Sequence, residues 1–222
     1  MTIAFETNGK GYLGWLIDFP GSYIRGKTLE DARAKIDNEL IEYFNWLEIV
    51  KPNNITIENE LIFNSKLMIE DADSDIIFEN EKIQYNSLKE FENDLDSILI
   101  SAKKTDQIYR KSNPKDIIDY TMVRKTFYGS VYKSINEQFN HIVNVQNYYL
   151  GQILEEININ NDIVNTRKLM INVIKEKYLK EGNLLYKNEN EEWTIKKIIR
   201  RTIWHDRIHA KAIARIAKIL SK

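Results

Sequence analysis

Eight residues near the C-terminus, Ile195, Ile198, Thr202, His205, His209, Ala212, Ile216 and Ile219, succeed one another at spacings of 3, 4, 3, 4, 3, 4 and 3. That alternation keeps one face of a 3.6-residue helix turned the same way for about seven turns. The segment of about 193–220 is therefore expected to be a helix with a seam buried against other helices. A second unbroken run, Leu88, Phe91, Leu95, Ile98, Ala102, Thr105 and Tyr109, imposes the same geometry upstream. Between them the pattern predicts a helix over about 124–157, with Val131, Ile135, Ile142, Val145 and Tyr149 inward, and another over about 162–181. "KSNPKD", "NINND" and "EGNLLYKNENEE" break the pattern between these helices. Four helices joined in this way form a bundle of about 135 residues.

The first third of the chain reads differently. "MTIAFET" and "YLGWLIDF" are strand-like and flank the turn "NGKG", a hairpin signal. "PGS" makes a further turn and "SYIRG" a third short strand. "TLEDARAKIDNELIEYFNWLEIV" then opens with Thr28 as N-cap and Asp31 three residues on, and repeats Ala32, Ile36, Leu40, Tyr43, Phe44 and Leu47 at helical spacing. "KPNN" ends that helix, and "ITIENELIF" and "KLMIED" are expected to be strands. The acidic run "EDADSD" marks a boundary, dividing the chain into an α/β part over 1–75 and an all-α part over 76–222, an α+β fold.

Composition narrows the function. Hydrophobic residues make up 43% and charged residues 29%, as in ordinary globular proteins, and no apolar run reaches the length of a membrane span. The start lacks the basic-then-apolar pattern of a secretory signal, so the cytoplasm is the expected compartment. Cysteine is absent, which excludes disulfides, thiolate metal sites and cysteine nucleophiles; a transition metal would need histidine and carboxylate ligands. The net charge of −1 hides an asymmetry: residues 1–95 carry 9 Lys/Arg against 19 Asp/Glu, and residues 166–222 carry 15 against 6. The basic residues are spread round helices and accompany no nucleic-acid module, which argues against nucleic acid as a partner. Attraction between two parts of the chain, or between subunits, accounts for the same imbalance.

Only three histidines occur, and two of them, His205 and His209, take seam positions where aliphatic residues would ordinarily stand. One helical turn apart on one face, two imidazoles reach a single ion. His141, one residue before Ile142, lies about 40° from Val145 on a helical wheel and can face the same interior. Three neutral imidazoles leave a divalent ion open positions for water or substrate. On spacing alone a hydrogen-bonded pair of core histidines stands equally open. "HDRIH" departs from the H-E-x-x-H metalloprotease helix, because Asp206 is one methylene too short for the general base. Paired Glu and E-x-x-H motifs of di-iron bundles are missing, as are Gly-rich phosphate loops and nucleophile elbows.

The segments "FYGSVYKSINEQFNHIVNVQNYYLGQIL" and "WTIKKIIRRTIWHDRIHAKAIA" resemble the DinB/YfiT-like superfamily of metal-binding four-helix bundles. That family carries one histidine on its second helix and an H-x-x-x-H pair on its last. The resemblance, over roughly 75–222, assigns His141, His205 and His209 as ligands of a divalent ion, zinc or nickel being usual. It also implies S-transfer or isomerisation with a low-molecular-weight thiol in some members, and frequent pairing as homodimers. Family members often carry an acidic residue where this chain has Gln146 or Asn147. Glu137 and Asp206 are candidate carboxylates behind the imidazoles, against a plainer role as solvated surface charges. Tyr148 and Tyr149 are candidates for the pocket rim, against simple packing.

The N-terminal stretch "GYLGWLIDFPGSYIRGKTLEDARAKI" is similar to HicB-like domains, which in toxin–antitoxin systems block a ribonuclease toxin. The DNA-binding segment coupled to such domains is missing, and Pro20, Gly21, Gly26 and Thr28 serve a turn and a helix start equally well. The reading that follows is a divalent-metal-dependent enzyme, an S-transferase or hydrolase acting on an unidentified small molecule. The alternative is a non-enzymatic interaction or regulatory module with a structural metal or none.

Overall fold

The hairpin forms where the turn chemistry places it. Strands β1 (Thr2–Thr7) and β2 (Tyr12–Leu16) pair antiparallel with Ile3 opposite Leu16 and Thr7 opposite Tyr12, and Gly9 supplies the positive φ of the turn. Strand β3 (Tyr23–Gly26) adds antiparallel to β2. Helices α1 (Leu29–Arg33) and α2 (Ile36–Leu47) follow, with the Thr28 hydroxyl accepting from the Asp31 amide; the single helix expected there is thus broken at Ala34–Lys35. Strand β4 (Asn59–Asn64) returns parallel to β1, giving the order β3-β2-β1-β4. "KLMIED" is not a strand. It contains a 3₁₀ turn at Ile69–Asp71, closed by the left-handed residue Ala72.

The structure, a computed structural model, describes residues 1–118, 125–126, 129–130, 134–153, 162–188 and 191–220. A short helix α3 (Glu79–Lys82) leads to α4 (Leu88–Lys111), whose start is capped by the Ser87 hydroxyl on the Glu90 amide. Two-residue strands β5 (Lys125–Thr126) and β6 (Gly129–Ser130) precede α5 (Ile135–Gly151). Helix α5 starts later than expected because Ser134 and Glu137 close a capping box at its N-terminus, fixing the first turn there. Val131 lies outside the described residues. Helix α6 (Ile163–Glu181) is capped by Asp162, and the hairpin β7 (Tyr186–Asn188) and β8 (Glu191–Trp193) leads into α7 (Ile195–Leu220).

The fold is α+β: a four-stranded sheet followed by helices. Helix α7 packs on α4 and on α5, and α6 packs on the same two helices, so the four close into a ring. Phe91, Leu95, Ile98, Tyr149, Met170, Ile174, Trp193, Ile198 and Ile203 fill its middle. No described helix is long and apolar enough to cross a membrane.

Both faces of the sheet are covered, which is why β1 and β2 read as nearly continuous apolar runs. Ile3, Phe5, Leu16 and Ile24 pack on α2 through Leu40, Tyr43, Phe44 and Leu47. Ala4, Leu13, Trp15 and Tyr23 pack on the opposite side with Phe78 and with Trp204 of α7. Burying one indole is worth ~4–6 kcal/mol as an upper bound, taking ~150–250 Å² at ~25 cal/mol/Å². Gly21 permits this approach: its φ is +88°, and a Cβ there would stand 2.6 Å from the Ile203 side chain and 2.9 Å from the Trp204 amide. Helix α7 is consequently buried on two sides, by the helical ring and by the sheet.

The charge asymmetry is resolved at this contact. Arg207 of α7 donates to Glu39 of α2 and to the Gly21 carbonyl. Arg200 donates to Glu81 at 2.6 and 3.1 Å, and Lys211 reaches Glu42 at 2.6 Å. The acidic N-terminal part and the basic C-terminal helix meet as specific pairs.

Candidate metal centre

His205 and His209 project from α7 one turn apart, and His141 meets them from α5. The three rings form a near-equilateral triangle, with centroid separations of 4.7, 4.7 and 4.3 Å. One ring nitrogen from each lies within 4.8 Å of the others, and this is the group of three that the described residues offer for an ion. The Nε2 atoms of His205 and His141 are 3.0 Å apart. The edge of a tetrahedron with metal–nitrogen bonds of ~2.0–2.1 Å is about 3.3 Å. The His141–His205 edge is near that length, and the three rings lie close enough together that they could hold a divalent ion.

The electrostatics favour the ligating form. Burial holds the His141 ring at about 4. Burial, followed by the neighbouring His141 ring, holds His209 at about 3. His205 is held well below the usual imidazole range, by burial first and then by His209 and His141. All three are neutral at pH 7, with a lone pair available.

The tautomer of His209 is set from α5. Its Nδ1 lies 2.5 Å from Gln138 Oε1. A carbonyl oxygen only accepts, so Nδ1 carries the proton and Nε2 keeps the lone pair. Gln138 stands one turn before His141 on the same helix face. The sequence reading did not single it out, although the i−3 spacing from a candidate ligand was visible. His205 Nδ1, by contrast, is buried with no hydrogen-bond partner. An orphaned polar atom of this kind costs ~1–3 kcal/mol; it is the ring nitrogen on the side away from His141, which His205 meets through Nε2. His205 is sealed, whereas His141 and His209 remain partly exposed, so the triangle opens to solvent on one side. An open side is what separates a catalytic three-ligand site from a closed structural one.

Of the two candidate carboxylates, Glu137 is the exposed surface charge of the plainer reading and Asp206 is not. Glu137 closes the capping box of α5. Asp206 is a solvated charge in no sense: its side chain is 1% exposed, paired with Arg167 at 2.9 and 3.0 Å and accepting from Ser101 at 2.8 Å. Arg167 Nε also donates to Gln146 Oε1 at 2.8 Å, and Ser101 receives the Trp46 indole N–H at 2.9 Å. A buried polar chain thus runs from α6 through α5, α7 and α4 to α2, with Asp206 adjacent in sequence to His205. Gln146, neutral where an acidic residue was expected from the resemblance, serves the arginine and not an imidazole. Tyr149 is buried packing, edge-on to the His205 ring at 6.1 Å; Tyr148 is half exposed.

No protein-family model, no curated protein and no solved structure matches this chain.

Proposed function

We propose that His141, His205 and His209 hold a divalent ion, zinc or nickel, and that the protein is a metal-dependent enzyme of the DinB/YfiT-like kind, a thiol-dependent S-transferase or a hydrolase of a small electrophilic substrate. The observation that carries this reading is the convergence of every histidine in the chain, from two helices distant in sequence, on one point with one side open. A bound divalent ion supplies Lewis acidity, bringing the pKa of a water or thiol toward neutrality. The protein's own contributions are separate. Gln138 orients His209 and fixes its proton on Nδ1. Tyr149 and Trp204 wall the sealed side, keeping water from His205. The Arg167–Asp206 pair fixes the rotation of α7, and with it the direction of the two imidazoles one step along the helix.

The test is elemental analysis of protein purified without chelator, followed by turnover assays with low-molecular-weight thiols and electrophiles. The expected result is one zinc or nickel per chain and thiol-dependent turnover abolished by His209→Ala. Protein that holds no divalent ion and takes up none from zinc or nickel solutions removes the reading.

A second reading, an interaction module built on the HicB-like part, is favoured by one feature: the apolar outer edge of the sheet, described next.

A further inference from the structure

Strand β4 ends the sheet and pairs on one side only, with β1. All six of its residues are exposed. Three consecutive large apolar side chains, Leu61, Ile62 and Phe63, are 42, 55 and 39% exposed, with Ile57 close by at 49%. Natural sheets blunt such edges with proline, lysine, a bulge or a covering segment. Residues 59–64, "NELIFN", contain neither proline nor lysine, pair with β1 in continuous register, and are covered by no described element. Apolar side chains on both faces are the pattern of a strand covered on both faces, and the outer edge of β4 presents backbone N–H and C=O groups that no described strand pairs.

We infer that β4 is a dimerisation edge, on which the β4 of a second copy of this chain pairs antiparallel to continue the sheet. An antiparallel pair places directly opposite residues on the same face, so a two-fold pairing must be centred on a residue, here Leu61, Ile62 or Phe63. Centring on Ile62 sets Ile62 against Ile62, Leu61 against Phe63, Glu60 against Asn64, and Glu58 against Lys66 of the second copy. Apolar meets apolar and opposite charges meet at both ends. Centring on Leu61 sets Ile62 against Glu60; centring on Phe63 sets Ile62 against Asn64 and Leu61 against Ser65. The sequence therefore selects one register. Glu58 and Lys66 are both exposed; Glu58 lies 3.6 Å from the N-terminal amine of Met1, and its side chain, 71% exposed, can turn from that partner to Lys66 across the new edge. The inference concerns the sheet and is independent of the metal.

Sedimentation and light scattering of the wild-type protein should give twice the chain mass of 26.3 kDa. Ile62→Lys should raise the dimer dissociation constant about tenfold or more, without altering the far-ultraviolet circular dichroism. Glu58→Lys should weaken the dimer, and Glu58→Lys combined with Lys66→Glu should restore it. Because the chain has no cysteine, Ile62→Cys introduces a single thiol. Directly opposite residues have Cα atoms about 4.5–5.5 Å apart, within disulfide range, so mild oxidation should link two chains. Val50→Cys, more exposed than Ile62 but outside β4, should not link. A monomer up to millimolar concentration overturns the inference and leaves the edge to a strand of another protein. A dimer indifferent to Ile62→Lys, with no Ile62→Cys crosslink, overturns it as well.

Discussion

Helix α7 carries two kinds of buried polar side chain, and they are treated in opposite ways. Arg200, Asp206 and Arg207 each meet a charge on another element: Glu81, Arg167 and Glu39. These pairs are almost fully enclosed, with side chains between 1 and 5% exposed. His205 and His209 instead meet each other, His141, Gln138 and the rings of Tyr149 and Trp204; all three imidazoles are kept uncharged, and His141 and His209 are partly exposed. Paired charges spend their interaction on holding α7 in one rotation between the sheet and the helical ring. The histidines hold lone pairs in reserve. A molecule that fixes the first set so tightly next to the second has the means to keep three imidazoles aimed at one point.

The largest effect that separates the two sets is on folding. Asp206→Ala leaves the Arg167 guanidinium buried and unpaired, and should lower the free energy of unfolding by ~3–5 kcal/mol in denaturant titrations, whether or not metal is present. His205→Ala should behave inversely. It should weaken zinc binding by more than about 100-fold, beyond the ~10–100-fold typical of a residue that merely orients a ligand, while the stability in chelator changes little. If Asp206→Ala folds as well as wild type, or if His205→Ala unfolds the metal-free protein, the distinction between the two sets fails.

Gln138→Leu sharpens it. Loss of the Oε1 acceptor frees the His209 tautomer, and zinc affinity by calorimetry should fall ~10–100-fold with the fold intact. An unchanged affinity would reduce Gln138 to packing.

The gentlest effect is a pH slope. The folded pKa of His209 lies near 3, below the ordinary value of 6.5. Between these two values the unfolded chain binds a proton that the folded protein does not, so the metal-free protein loses stability as pH falls through this window. His209→Ala should remove up to ~1.4 kcal/mol per pH unit from that slope. Asp94, lifted to about 6 from 3.8 by burial, acts in the opposite sense: the folded protein gains its proton first, so stability rises as pH falls from about 6 toward 4. The difference between wild type and variant is therefore the quantity to read.

Periodicity made the helices legible, because an inward face needs only apolar spacing. The seam of α4 from Phe91 to Thr105 and the stripe of α7 from Ile195 to Ile216, including both histidines, lie inward where the 3,4 alternation places them, whereas the end residues Leu88 and Ile219 are exposed; the hairpin stands at its Asn-Gly-bearing turn. Helix ends were less visible: α5 starts at the Ser134–Glu137 capping box and not ten residues earlier, and "KLMIED" turns because Ala72 adopts a left-handed conformation that no propensity announces. The polar core was hidden for a different reason. Asp206, Arg207 and Glu39 lie off the apolar stripe of their helices, and a pattern shows which face is apolar, not that a second face meets the sheet. Gln138 was within reach, one turn from a candidate ligand, but an amide carries no metal signal of its own.

X-ray absorption at the metal edge of zinc- or nickel-loaded protein tests the central claim most directly. Three imidazole nitrogens at ~2.0–2.1 Å, with the multiple-scattering signature of the rings and one or more oxygen neighbours on the open side, is the result this arrangement of His141, His205 and His209 requires. A first shell of oxygens alone, or one retained unchanged in the His205→Ala, His209→Ala protein, would contradict it.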